Sequence, residues 1–218
     1  MAPGEFTARL EGLAEKMRQD LSAKDHVRER VLRLCRETIR HCSTSIRAIH
    51  RQEDQSAREL LEQARNLLKE IGEVVAAFPD LTATGYMNDA QKEYAEGCLT
   101  LALVAGEPLP SAEHLGVSLP AYLNGMGEAV GEMRRYLLDG IRRYDLSRSE
   151  ELLSAMDDIY GVLVTMDFPD ALTGGLRRTT DMVRGVLEKT RGDLTVAFEQ
   201  RGLEARMIAL EEKLGRTA

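Results

Sequence analysis

Residues 54–79 read DQSARELLEQARNLLKEIGEVVAAFP, and apolar side chains recur there every three or four positions. This spacing places them along one side of an α-helix. The apolar positions are Leu60, Leu61, Leu67, Leu68, Ile71 and Val75. We therefore predict an amphipathic helix from Asp54 to about Ala77. The pair Phe78-Pro79 ends it, because a residue before proline is biased away from helical geometry.

The same periodicity extends in both directions along the chain. It predicts further helical regions over about residues 6–21, 23–51, 89–105, 119–144, 149–168 and 170–214. The caps expected from the sequence are Ser22 with Asp25, Asn88 or Asp89, Ser118, and Ser147 or Ser149. Glycine and proline mark a loop at 106–116, and helix breaks are expected at Gly174-Gly175, Gly192 and Gly202. The sequence thus predicts an all-α fold, a single-domain bundle of about seven helices over residues 1–218.

Composition and charge restrict the classes of function. Charged residues form 30% of the chain and the net charge is -7, which argues against a general nucleic-acid binder with a basic surplus. An acidic metal site beside a local arginine face remains compatible with that charge. The odd set of Cys35, Cys42 and Cys98 has no metal or redox spacing, so we expect reduced packing residues in a cytoplasmic protein. We expect no signal peptide and no membrane span.

Two pairs of glutamates suggest a metal site. Glu93 and Glu96 lie three residues apart, and Glu128 and Glu132 lie four apart, so each pair shares one helix face. If the two helices are antiparallel neighbours, the four carboxylates meet, and a hard cation such as Mg²⁺ offsets their repulsion. Such pairs are also common on solvated helices, and the spacing alone does not decide between these readings. Glycines beside the pairs, Gly97, Gly127 and Gly131, indicate close helix approach or room for a substrate.

Two other classes of helical metal protein also use carboxylates at regular spacing. A ferritin-like di-iron bundle needs Glu-x-x-His repeats, and no glutamate here has a histidine three residues later. An all-α nucleotide pyrophosphohydrolase also uses two carboxylate pairs with Mg²⁺, and it stays compatible with the sequence. Its second pair is usually a glutamate and an aspartate three residues apart, which differs from the pair of Glu128 and Glu132.

A stripe of arginines on the second predicted helix suggests phosphate binding. Few acids accompany it, and unpaired arginines on one face suit nucleic-acid backbones. Two more arginines follow the second glutamate pair. The candidate nucleic-acid-binding residues are Arg33, Arg36, Arg40, Arg47, Arg51, Arg134 and Arg135. A solvated face or a subunit interface is the alternative. His41 and His50 are interpreted as surface or interface residues, because neither has a second ligand at metal spacing.

Three segments of the chain resemble the translin/TRAX family, and more closely its TRAX-like archaeal branch. They are residues 36–51 (RETIRHCSTSIRAIHR), 91–97 (QKEYAEG) and 120–134 (PAYLNGMGEAVGEMR). The first is similar to the family's long basic helix, the second to the TRAX segment with two catalytic glutamates, and the third to the acid and Gly-Glu motif that follows. Weaker similarity at 181–184 and 201–202 extends the resemblance over nearly the whole chain.

The resemblance implies a translin-like helical fold that assembles into a closed homo-oligomeric shell, an octamer or a hexamer, around RNA. It implies endonucleolytic cleavage of single-stranded RNA with Mg²⁺, or with Mn²⁺ in its place, and binding of single-stranded DNA as well. Glu93, Glu96 and Glu128 match the catalytic, metal-binding acids of TRAX, and Glu132 matches a further acid beside them. Glu128 stands where the family usually has aspartate, which puts activity and cation preference in question. Translin itself binds nucleic acid without the acid set, so a non-catalytic binder is the alternative.

Overall fold

The computed structural model describes residues 3–81 and 85–215, and these residues contain eight α-helices and no strand. The helices are α1 (Pro3–His50), α2 (Asp54–Val75), α3 (Gly85–Ala105), α4 (Ala112–Leu115), α5 (Leu119–Arg142), α6 (Ser149–Val164), α7 (Asp170–Thr173) and α8 (Leu176–Gly215). A 3₁₀ turn at Pro79–Leu81 follows α2. The all-α prediction is confirmed, with two of the eight helices only four residues long.

The predicted boundary at Ser22 is wrong, because α1 is one uninterrupted helix of 48 residues. Ser22 and Asp25 match a capping pattern, but residues 13–50 contain neither proline nor glycine. A serine inside a helix lowers its stability by only about half a kcal/mol relative to alanine. A cap pattern without a helix breaker therefore does not end the helix.

Other helix ends also differ from the prediction. Helix α3 begins at Gly85 rather than at a cap on Asn88 or Asp89, and α6 is preceded by Arg148 instead of a serine cap. Helix α6 also ends at Val164, several residues before the predicted end. Caps at α5 are as expected, since the Ser118 hydroxyl accepts a hydrogen bond from the third residue after it.

Some glycines end helices, and others lie inside them. The break at Gly174-Gly175 is confirmed, with φ of 61° and 82°, a left-handed backbone that favours glycine. Gly192 and Gly202 lie inside the 40 residues of α8 and do not interrupt it. The predicted loop at 106–116 contains α4, which Gly116 ends at φ 69°.

Helices α3 and α5 run in the same direction and are not the antiparallel neighbours considered from the sequence. Near their starts, the Ser118 N–H donates to the Gln91 side-chain oxygen at 3.0 Å. Near their ends, the Arg148 guanidinium, just beyond α5, donates to the Leu103 carbonyl at 3.2 Å. The intervening segment turns back along α3, and the Tyr122 hydroxyl holds it by donating to the Pro110 carbonyl at 2.8 Å.

The core lies between these parallel helices and their neighbours. Helix α5 packs against α3, α6 and α8, and α1 packs against α2 and α3. Aliphatic and methionine side chains fill the interior, as the low aromatic content predicts. The largest fully buried ones include Ile49, Ile71, Leu99, Met133, Leu152, Met156, Leu163, Leu176 and Leu194. Cys35 and Cys42 are buried and Cys98 is half-buried, all as free thiols, which agrees with a packing role.

The outer ends of the two longest helices expose apolar side chains. On α1, five large apolar residues recur every three or four positions and are 50% to 66% exposed: Phe6, Leu10, Leu13, Met17 and Leu21. The end of α8 shows the same pattern at Leu203, Met207 and Leu210. Contiguous apolar surface of this kind marks a contact with another molecule. Within the described residues, no helix combines the length and the apolar character that crossing a membrane requires.

Candidate metal centre

Three carboxylates from two helices meet on one side of the bundle. Helix α3 supplies Glu93 and Glu96, α5 supplies Glu128, and one oxygen of each lies within 4.8 Å of the others. Oxygens bound to one Mg²⁺ at about 2.1 Å are at most about 4.2 Å apart, so small side-chain rotations suffice to close the set. The parallel helices thus bring three of the four glutamates together.

A glycine contact sets the spacing of the two helices at this point. A Cβ atom on Gly125 would lie 2.7 Å from the Lys92 carbonyl oxygen and 3.0 Å from the Glu96 nitrogen, both backbone atoms. Only a residue without a side chain lets α5 approach α3 this closely. The sequence pointed instead to the neighbouring glycines. Of those, Gly97 and Gly127 do contact other helices closely, whereas Gly131 has open space around it.

Burial and mutual repulsion make two of the carboxylates hard to ionise. Glu96 is only 8% exposed, and burial together with the charges of Glu128, Glu93 and Glu132 raises its pKa to about 8. Burial also holds the pKa of Glu93 above its usual range, although the Lys92 ammonium opposes this shift. A divalent cation would relieve this repulsion, so the residues present fit a bound Mg²⁺.

Lys92 contacts the carboxylate cluster, and the sequence did not single it out. Its ammonium nitrogen donates to Glu128 Oε1 at 2.7 Å, and both side chains are partly buried. Burial alone would lower the pKa of Lys92. The hydrogen bond to Glu128 and the nearby carboxylates outweigh this effect and keep that pKa above its ordinary value. Since the pair joins α3 to α5, spacing rules within one helix do not reveal it.

Glu132 lies beside the three carboxylates and has partners of its own. His50 Nε2 lies 2.5 Å from Glu132 Oε2, and Arg135 Nη1 lies 3.8 Å from the same oxygen. His50 is 8% exposed, so its interpretation as a surface residue is wrong. His50 is the last residue of α1, which packs against α2 and α3. His41 is half-buried, 4.0 Å from a Glu37 oxygen.

A cavity of about 500 Å³ opens over the carboxylates and contains two of the predicted arginines. All four glutamates line it, together with Arg47 of α1 and Arg135 of α5. The other candidate arginines do not line this cavity: Arg33, Arg36, Arg40, Arg51 and Arg134. The first three are exposed on α1, whereas Arg51 pairs with Glu53 at 2.8 Å and Arg134 pairs with Asp193 at 2.7 Å.

Comparisons with known proteins identify relatives of this chain. No family model matches the sequence. An uncharacterized protein of Methanocaldococcus jannaschii is 32% identical over 182 residues, which cover 83% of this chain and 80% of that protein.

Solved structures share the fold along nearly their whole length. The crystal structure of AfC3PO matches with a TM-score of 0.79 and 33% identity, covering 86% of this chain and 98% of that one. Its complex with duplex RNA matches with a TM-score of 0.77, 33% identity and coverage of 86% and 97%. Apo-NeC3PO, at 20% identity, a TM-score of 0.73 and coverage of 90% and 98%, shares the fold. AfC3PO is an archaeal C3PO, and this chain, like it, belongs to the translin/TRAX family.

Proposed function

We propose that this protein is a cytoplasmic, metal-dependent endoribonuclease that cleaves single-stranded RNA inside a homo-oligomeric shell. The observation that carries the proposal is the cluster of Glu93, Glu96 and Glu128, whose oxygens lie within 4.8 Å of one another around a largely buried carboxylate. The solved complex of AfC3PO with duplex RNA supports an RNA ligand for its relative here.

The three clustered carboxylates would hold Mg²⁺, or Mn²⁺ in its place, with Glu132 as a further acid at the edge. When bound, the cation lowers the pKa of an attacking water and neutralises charge on the scissile phosphate. A carboxylate oxygen not used in binding would orient that water and accept its proton. The close contact at Gly125 fixes the separation of Glu96 from Glu128, which such a site requires.

Arginines would hold the strand through its phosphates without reading its sequence. Arg47 and Arg135 line the carboxylate cavity and would contact the phosphates next to the scissile one. The exposed arginines Arg33, Arg36 and Arg40 extend this basic surface along α1. Since these contacts involve only the backbone, we also propose binding of single-stranded DNA.

Assembly into a closed octamer or hexamer is supported by the apolar stripes at the ends of α1 and α8. Side chains such as Leu10 and Met17 are more than half exposed in a single chain, and a second copy would cover them. Size-exclusion chromatography with light scattering tests this directly. A stable monomer of 24.3 kDa would overturn the shell.

The decisive experiment compares purified wild-type protein with Glu96→Gln on a labelled single-stranded RNA. We expect cleavage that requires Mg²⁺ and stops in EDTA, and a loss of more than about a hundredfold in Glu96→Gln with RNA binding retained. The matched control is Glu150→Gln, which changes an exposed glutamate on α6 and leaves cleavage unchanged. Full activity of Glu96→Gln would show that the catalytic assignment is wrong.

A non-catalytic, translin-like binder is the second candidate, and the Lys92–Glu128 ion pair favours it. The Lys92 ammonium nitrogen lies 2.7 Å from Glu128 Oε1, an oxygen that a bound cation would otherwise use. Glutamate in place of the family's usual aspartate at this position points the same way. Retained RNA binding without cleavage in either Mg²⁺ or Mn²⁺ would select this candidate.

A further inference from the structure

A second cavity, of about 570 Å³, adjoins the carboxylate cavity, and both are lined by Glu128 and Met182. Asp89 of α3 and Asp170 of α7 lie on its walls, and Arg178 of α8 also lines it. A group bound here would therefore be the direct neighbour of a group bound at the three clustered glutamates.

The wall of this cavity is held in place by a buried amide. Asn124 is 5% exposed, and its Nδ2 donates to the Thr173 and Pro120 carbonyls, both at 2.8 Å. Its Oδ1 accepts a hydrogen bond from the Thr179 hydroxyl at 2.6 Å. One side chain thus fastens the Gly174-Gly175 turn between α7 and α8 to α5. The cavity is consequently formed before any ligand arrives.

The lining favours a ligand that donates hydrogen bonds. Asp89, Asp170 and Glu128 contribute carboxylates, whereas the cations are Lys92, already bonded to Glu128, and Arg178. Carboxylates repel a phosphate but accept hydrogen bonds from hydroxyl and amino groups. In a nucleotide, these donors are the ribose hydroxyls and the amino groups of the bases. Met182 is 39% exposed and offers an apolar surface to the flat face of a base.

We infer that this second cavity binds the ribonucleoside attached to the scissile phosphate, with Asp89 and Asp170 accepting hydrogen bonds from its hydroxyl and amino groups. The inference rests on the proposed function, because it takes the phosphate at the glutamate cluster as given. The 2′-hydroxyl is the donor that DNA lacks. The cavity therefore makes the protein favour a ribonucleotide over a deoxyribonucleotide at this position, although the arginines hold either backbone.

Calorimetric titration with a small probe tests the inference without cleavage. The probe is adenosine 3′,5′-bisphosphate, which has a phosphate on each side of the ribose, and the comparison ligand is its 2′-deoxy form, both in Mg²⁺. We expect the ribose form to bind about tenfold more tightly, the effect of one hydrogen bond to a charged group. Equal binding of the two forms to the wild-type protein would overturn the inference.

The double variant Asp89→Ala/Asp170→Ala shows whether these carboxylates are responsible. We expect its preference for the ribose form to fall to about one, within twofold. Asp167→Ala is the matched control, because Asp167 is an exposed aspartate outside the cavity and its loss leaves the preference unchanged. A preference that survives in the double variant, with an unchanged thermal transition as the check on folding, would also overturn the inference.

These experiments distinguish failure of the proposed nucleoside site from failure of the proposed nuclease activity. A wild-type protein that prefers the ribose probe but cleaves no RNA would refute the proposed activity and retain the nucleoside site. Conversely, Mg²⁺-dependent RNA cleavage by a protein that binds both probes equally would retain the activity and refute this site.

Discussion

The carboxylate cluster and the arginine stripe are built in opposite ways. Glu96 is buried on a helix whose backbone contacts the next helix at Gly125, and the cluster draws residues from two helices. The arginines are exposed on α1 and just after its end, and some bond to neighbours on their own segment, as Arg51 does to Glu53. Cation chemistry requires oxygens fixed to fractions of an ångström, whereas phosphate binding needs only positive charge within reach.

Substitutions in the carboxylate cluster and in the arginine stripe should therefore affect reaction rate and RNA affinity in different ways. A change in the cluster should affect the reaction steeply and all at once, because its members act on one ion. A change in the arginine stripe should alter affinity in small steps, since each arginine that faces the RNA contributes one phosphate contact.

The largest effect is expected from the glutamates themselves. Glu93→Gln and Glu96→Gln should each reduce RNA cleavage by more than about a hundredfold, and the double variant should be no slower than the worse single one. The reason is that loss of either ligand already disables the shared site. Single-turnover cleavage rates at saturating Mg²⁺ provide the measurement. Multiplicative losses in the double variant would instead mean that the two residues act independently.

A second test concerns the contact that sets the helix spacing. Gly125→Ala places a methyl group against the backbone of α3 and should lower the free energy of unfolding by about 1 to 3 kcal/mol. Gly131→Ala is the matched control on the same helix, with nothing within 4 Å. It should stabilise the protein by up to about 1 kcal/mol, since alanine favours helix. Urea denaturation measures both, and equal shifts in the two variants would rule out the close contact.

The third prediction is a pH dependence of stability in EDTA. The pKa of Glu96 is raised from 4.5 to about 8, so the folded protein holds a proton there that the unfolded chain has released. Stability should therefore decrease as the pH rises from about 4.5 to about 8, by at most about 1.4 kcal/mol per pH unit. Glu96→Gln should reduce this slope to the smaller contribution of Glu93, whose pKa is also raised, and added Mg²⁺ should weaken it. Identical profiles for the wild-type and Gln proteins would contradict the buried carboxyl.

The smallest effects should come from single arginines. Arg47→Ala and Arg135→Ala should each weaken RNA binding by about tenfold at moderate salt and reduce the slope of log affinity against log salt by about one. Arg51→Ala is the control, because its guanidinium is bonded to Glu53. Fluorescence anisotropy at several salt concentrations measures these slopes. An Arg51→Ala loss as large as that of Arg47→Ala would place the RNA elsewhere on α1.

Periodicity was sufficient to predict most of the helices and the helix face that each pair of glutamates shares. Periodicity reports on one helix at a time. It therefore predicted which side chains share a helix face, but neither the relative direction of two helices nor the contacts between them. The direction of α5 depends on the turn-back of residues 106–118, which a loop with two prolines does not specify. Lys92 and His50 pair with α5 residues 36 and 82 positions away, and no local pattern reports such contacts.

Boundary errors have a different physical origin. Ser22 and Asp25 form a good capping pattern, yet capping is worth only about 1 kcal/mol and competes with helix continuation. Since residues 13–50 contain no glycine or proline, α1 continues through Ser22 as one helix. At α3 the opposite holds, since the helix begins at Gly85, before the better capping residue Asn88. Local propensity therefore decides a boundary only where a strong breaker supports it.

The parallel arrangement of α3 and α5 has a consequence for the order of folding. Glu93 and Glu128 are 35 residues apart in sequence, and they meet only after the chain has turned back beside α3 and α5 has docked. Closing such a non-local contact is slow compared with forming either helix. Affinity for a divalent cation should thus develop late in refolding, and the cation should slow unfolding more than it speeds refolding.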